Sequence, residues 1–116
     1  MQNPVDGFYA AYFSSREGYG AALIAMRRGT VAGADPSGVK IDGTYANVEN
    51  RYIVEVRIAA PPGALLVQGG IAGANGHSYD ISFTFTDKLD AAPFIRVDTP
   101  HGPLNVKFVR LRGIDD

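Results

Sequence analysis

Polar and apolar residues alternate with a period of two along much of this chain. In "RYIVEVRI" the residues Tyr52, Val54, Val56 and Ile58 share one face, with Arg51, Ile53, Glu55 and Arg57 on the other. Successive side chains of a strand point to opposite sides, so this is a strand with one buried face. "SYDISFTFTDK" repeats the pattern, setting Tyr79, Ile81, Phe83 and Phe85 against Asp80, Ser82, Thr84 and Thr86. "PLNVKFVRLR" keeps Leu104, Val106 and Phe108 in phase and then shifts to Val109 and Leu111. A one-residue phase change inside a strongly β segment predicts a β-bulge.

Two earlier segments are apolar on both faces. "GFYAAYFSS" carries Phe8, Ala10 and Tyr12 opposite Tyr9, Ala11 and Phe13, and "YGAALIAMRR" carries Leu23 opposite Ile24. A strand with one face in water alternates more cleanly than this. Either another part of the chain covers these strands or a second subunit does. On the second reading Phe8, Tyr12, Leu23 and Ile24 form a homodimer interface.

"TVAGAD", "GVKIDGTYA" and "APFIRVDTP" predict further strands, and Gly, Pro, Asn and Asp mark hairpin turns between them. About eight strands in sequential hairpins predict an all-β, up-and-down antiparallel barrel or a related sandwich. The exception is 61–77, "PPGALLVQGGIAGANGH", whose weak pattern suggests a short helical turn and loop, or a flap over the barrel mouth.

Composition narrows the function. The chain has 116 residues with a net charge of −1, enough for a single domain spanning 1–116. Its eleven basic residues are scattered, which argues against nucleic acid as a partner. The longest apolar run, Ala21 to Met26, is far too short for a transmembrane helix, and the first residues lack a basic leader. The expectation is a cytoplasmic protein with no membrane partner. No cysteine is present, so thiolate metal sites and disulfides are excluded.

Candidate chemistry is sparse. Asp35 and Asp42 lie seven residues apart with Pro, Val and Ile between them, a poor match to a calcium loop. Asp35-Pro36-Ser37-Gly38 instead has the composition of a turn. The two histidines, His77 and His101, fall in predicted turns. A metal site or catalytic pair would need them to converge and recruit a carboxylate such as Asp80 or Asp98. No nucleophile elbow is present, and "GGIAGANG" precedes a strand rather than the helix a phosphate loop requires. No enzymatic activity, cofactor or metal is therefore expected. The inward-phase residues Tyr45, Tyr52, Val54, Val56, Phe83, Phe85 and Phe108 would line the barrel interior. That interior is either a filled core or a pocket for a small apolar ligand.

One resemblance adds to this reading. Asp6-Gly7 followed by aromatics, Gly18-x-Gly20, Gly29, Gly33-Ala34-Asp35 and Gly43-Thr44-Tyr45 leading to Ile58 resemble, in order and spacing, the GrlR-like family of negative regulators of type III secretion. The resemblance implies a lipocalin-like barrel that dimerises, lacks a catalytic site and restrains a protein partner, in the type case a transcriptional activator. The acidic run with which that member holds its activator is reduced here to Glu49 within Ala46–Asn50. That particular partner is therefore not carried over. The expected function is a regulatory binding protein, and the alternative is a carrier or sensor of a small apolar ligand or lipid.

Overall fold

The computed structural model describes residues 5–16, 18–63 and 76–114. Eight strands fill most of that span: β1 (Gly7–Ser15), β2 (Gly18–Arg27), β3 (Thr30–Ala34), β4 (Lys40–Val48), β5 (Arg51–Ala60), β6 (His77–Thr86), β7 (Ile95–Thr99) and β8 (Gly102–Arg112). All belong to one antiparallel sheet ordered β6-β5-β4-β3-β2-β1-β8-β7. Sequence neighbours pair throughout except β6 with β7, and β8 closes back onto β1. The molecule is an up-and-down barrel with one seam, between β6 and β7, that no ladder spans among the described residues. None of those residues forms a helix long and apolar enough to cross a membrane.

The turns follow from backbone chemistry. Arg28 and Gly29 join β2 to β3 with φ of 51° and 84°, and Glu49 and Asn50 join β4 to β5 with 53° and 66°. Two-residue loops with both central φ values positive match the right-handed twist of paired strands. Asp35 caps its turn as its composition suggested. Its Oδ1 accepts from the amides of Ser37 at 2.8 Å and Val39 at 3.0 Å. Residues 64–75, which include most of the suggested helical turn or flap, lie outside the described residues.

The inner phase of each strand builds the core. Tyr9, Ala11, Ile24, Met26, Val31, Ile41, Tyr45, Val54, Val56, Val106 and Phe108 are buried together. Leu89, from the connection between β6 and β7, is also fully buried. A buried apolar side chain of this size contributes about 1.5–3 kcal/mol. On β6 the inner residues Tyr79, Ile81 and Phe83 are only half-buried, and Phe85 alone is fully covered. That gradient is the consequence of an edge strand with a neighbour on one side only.

The bulge is present, displaced from the expected phase shift. Ala10 faces Val109 and Tyr9 faces Arg110, but Phe8 faces Arg112, so Leu111 is the extra residue. Val109 and Leu111, which the sequence pattern would place in the inner phase after Phe108, lie outside instead, while Arg110, opposite Tyr9, keeps the phase of Val106 and Phe108 and reaches the Asp6 carbonyl.

Gly43 sits in the inner phase of β4, between Val31 of β3 and Val56 of β5. A Cβ there would lie 2.0 Å from the Glu55 carbonyl oxygen and 2.7 Å from Val56 Cα. Both are backbone atoms, so only a displaced strand could make room. Glycine lets the sheet curl tightly at this corner. Gly43→Ala is expected to destabilise the fold by about 2 kcal/mol or more. Thr44→Ala, on the outer face, should stay within about 0.5 kcal/mol of wild type. Urea denaturation of the two variants measures the difference, and equal midpoints would refute the tight-corner account.

Candidate functional site

Among the described residues, the interior, the outer face and the seam each present a surface to another molecule. Inside, Val54, Val56, Phe83 and Phe108 line the central space together with Ile24, Met26 and Leu89. The space left among them is about 40 Å³, room for about one water molecule. Tyr45, Tyr52 and Phe85 lie away from it, in an aromatic stack. The Tyr52 and Phe85 rings are 4.9 Å apart and nearly parallel, and Tyr45 tilts onto Tyr52 at 6.4 Å. The expected inner set thus splits into four cavity-lining residues and three that close one end.

Beneath that stack lies Asp6, the one charged side chain buried among the described residues. The Tyr45 hydroxyl donates to Asp6 Oδ1. The amide of Arg28 donates to Oδ2 at 3.3 Å. Arg110 Nη2 donates to the Asp6 carbonyl at 3.2 Å, and the Tyr9 hydroxyl donates to the Val5 carbonyl at 2.6 Å. A buried polar group costs free energy unless it is hydrogen-bonded, and here each named group has a partner. Burial, followed by the hydrogen bond to Asp6, pushes the Tyr45 hydroxyl up to about 12 from its ordinary 10.0. Tyr9 is raised in the same direction by burial, with Arg110 opposing. This cluster holds structure together. The sequence reading placed Tyr45 in the interior but assigned Asp6 no partner, because the pair are 39 residues apart.

The outer face gathers large apolar side chains. Tyr12 is 51% exposed, Leu23 53% and Tyr19 87%. Register places them together: Tyr12 lies opposite Ala21, Ala10 opposite Leu23 and Val109, and Phe8 opposite Ala25. No charged residue interrupts the outer phase of β1 from Phe8 to Ser14, or of β2 from Tyr19 to Ala25. Of the four residues expected at a dimer interface, Phe8, Tyr12 and Leu23 do face outward, and Phe8 is half-covered. Ile24 is corrected. It is 6% exposed and packs in the core, because its neighbour Leu23 takes the outer phase.

Along the seam runs a shallow groove of about 570 Å³ between β6 and β7, bordered by Glu55, Ser82, Thr84, Ile95 and Arg96. Asp80 is paired with Arg57 at 2.9 Å, and Asp98 with Arg96 at 3.3 Å. The Arg57 hydrogen bond holds the Asp80 carboxyl below its usual range. Near one end of β6, His77 and His101 meet through their Nε2 atoms. The histidines thus converge, as a catalytic or metal reading required. The two carboxylates considered for them are engaged by arginines instead. No group of three His, Cys, Asp or Glu that could hold a metal forms among the described residues.

No family model matches this chain, and no curated protein or solved structure matches it significantly.

Tyr45→Phe is expected to cost about 1–3 kcal/mol at neutral pH, because it leaves a buried Asp6 oxygen short of a donor. The folded protein holds the Tyr45 proton more tightly than the unfolded chain does. The resulting stability is complete below pH 10 and is lost as the pH rises through about 12. Chemical denaturation across that window should show a shallower alkaline decline in the variant. A neutral midpoint equal to that of wild type would refute the assignment.

Proposed function

We propose that this protein is a non-enzymatic, regulatory binding protein of the GrlR-like type. It works as a homodimer joined through the outer faces of β1 and β2 with their neighbours β3 and β8. The observation that carries this reading is the apolar outer face of β1 and β2 around Tyr12 and Leu23, bordered on β8 by Lys107 opposite Tyr12, on a barrel whose central space is small. Four strands about 4.8 Å apart, rising about 3.4 Å per residue, give on the order of 600 Å² in projection, the polar and charged margins at Arg27, Asn105 and Lys107 included. Each partner in a standard stable interface contributes roughly 800 Å², so the face is of the right scale.

A second copy of the chain is the occupant its surface fits. Bulky Tyr12, Tyr19, Leu23 and Val109 stand among Ala10, Ala21, Ala32 and Ala34. Such alternating ridges and hollows can interlock with an identical face turned through a two-fold axis, with the β1 and β2 faces at its centre and Lys107 of β8 toward its margin. Joining these faces leaves β4, β5, β6 and the seam groove for the regulated protein. The unladdered edges of β6 and β7 offer backbone groups to an extended segment of it. The absence of cysteine fits a reducing, cytoplasmic setting.

The carrier reading finds less support. Drug-sized ligands occupy pockets of about 300–1,000 Å³, against about 40 Å³ in the central space lined by Val54, Val56, Phe83 and Phe108. Native mass spectrometry of freshly purified protein separates the two. The regulatory reading predicts a species at twice 12.4 kDa with no added mass, and Leu23→Lys should convert it to monomer with an unchanged β-sheet circular dichroism spectrum. A wild-type monomer, or one carrying a lipid-sized adduct, would overturn the proposal.

A further inference from the structure

His77 and His101 come from different elements, 24 residues apart, and their Nε2 atoms face one another at the barrel rim. His77 opens β6, paired with Ala60 of β5. His101 sits in the turn between β7 and β8, where the Thr99 hydroxyl donates to the Gly102 carbonyl at 2.7 Å and accepts from the His101 amide at 3.1 Å. That turn is pinned by its own threonine. Tyr79, two residues along β6 on the same face, packs its ring 5.6 Å from His77 and 5.4 Å from His101. Both imidazoles are thereby held in place before any ligand arrives.

From this convergence we propose that His77 and His101 form a two-histidine site for a divalent transition-metal ion, bound through both Nε2 atoms. Imidazole nitrogen is a common donor to such ions, with metal–nitrogen bonds of about 2.0–2.1 Å. Two bonds of that length at a tetrahedral angle place the nitrogens roughly 3.3 Å apart. A small rotation of either ring meets that spacing. Asp80 and Asp98 are occupied by Arg57 and Arg96, so water fills the remaining coordination positions. The site is accordingly exchangeable, and its affinity follows the usual preference for Cu²⁺ over Zn²⁺. Its position gives it a consequence. The ion ties β6 to the β7–β8 turn across the seam that lacks a ladder.

The test uses the chelator-treated full chain and the variants His77→Asn and His101→Asn, whose folding is checked by circular dichroism. Zn²⁺ titrated by calorimetry should bind the wild type at one equivalent per chain, and either substitution should abolish that equivalent. Cu²⁺ should give an electron paramagnetic resonance spectrum with coupling to two nitrogens in the wild type only. With free Zn²⁺ a hundredfold above Kd, the wild-type melting temperature should rise by roughly 10 °C, with no rise in the variants. A wild type that binds no ion would overturn the proposal, leaving only a hydrogen-bonded histidine pair. Binding that survives both substitutions would overturn it equally, since the donors would then lie elsewhere.

Discussion

A carboxyl group buried at the end of a β-barrel must find donors, and much of this fold is arranged around the ones Asp6 finds. Tyr45 reaches it from β4, the Arg28 amide from the β2–β3 turn, and Arg110 from the bulged end of β8 to its carbonyl. Three separate parts of the sheet are thus tied to the residue before β1. The same contact explains a local oddity. Arg28 holds a positive φ of 51°, which costs energy for a residue with a side chain. Its amide points at the carboxyl as a result, and the turn is supported from inside the barrel. The Gly29 carbonyl accepts from the Tyr45 amide at 2.9 Å, so the tyrosine is anchored to that turn at its backbone as well.

Tight curling of the sheet decides what the barrel can contain. Gly43 lets β4 and β5 approach closely, and Leu89 folds in from the β6–β7 connection. The enclosed space is largely consumed by the chain's own side chains. Among the described residues, two surfaces are unlike the rest. One is the outer face of β1 and β2, free of charge from Phe8 to Ser14 and from Tyr19 to Ala25. The other is the seam, where β6 is exposed for want of a neighbour and a pair of histidines spans the rim.

Both surfaces were only partly legible in the sequence. The two-faced apolar character of β1 and β2 was plain, because period-two alternation fails there and nowhere else so completely. Which residue of the Leu23–Ile24 pair faces outward was not, since both phases are apolar and only pairing with β1 and β3 sets the register. His77 and His101 could be seen as two turn residues, but a separation of 24 positions says nothing about distance. Their meeting depends on β6 and β7 lying side by side at the ends of the same sheet. Leu89 was hidden in "TDKLDAAP", whose polar composition marks a connection and conceals the one residue that turns inward.

Local chemistry was enough to determine the strand content, the inner phase of β5, of β6 and of β8 as far as Phe108, the Asp35 turn and the hairpin order, because each rests on residues close together in the chain. Tertiary structure decided the rest: the closure of β8 onto β1, the seam at β6 and β7, the partner of Asp6, the fullness of the interior and the meeting of the histidines. Those features depend on how far the sheet curls before its ends approach. That curl is a property of the whole assembled barrel, and no short stretch of the sequence contains it.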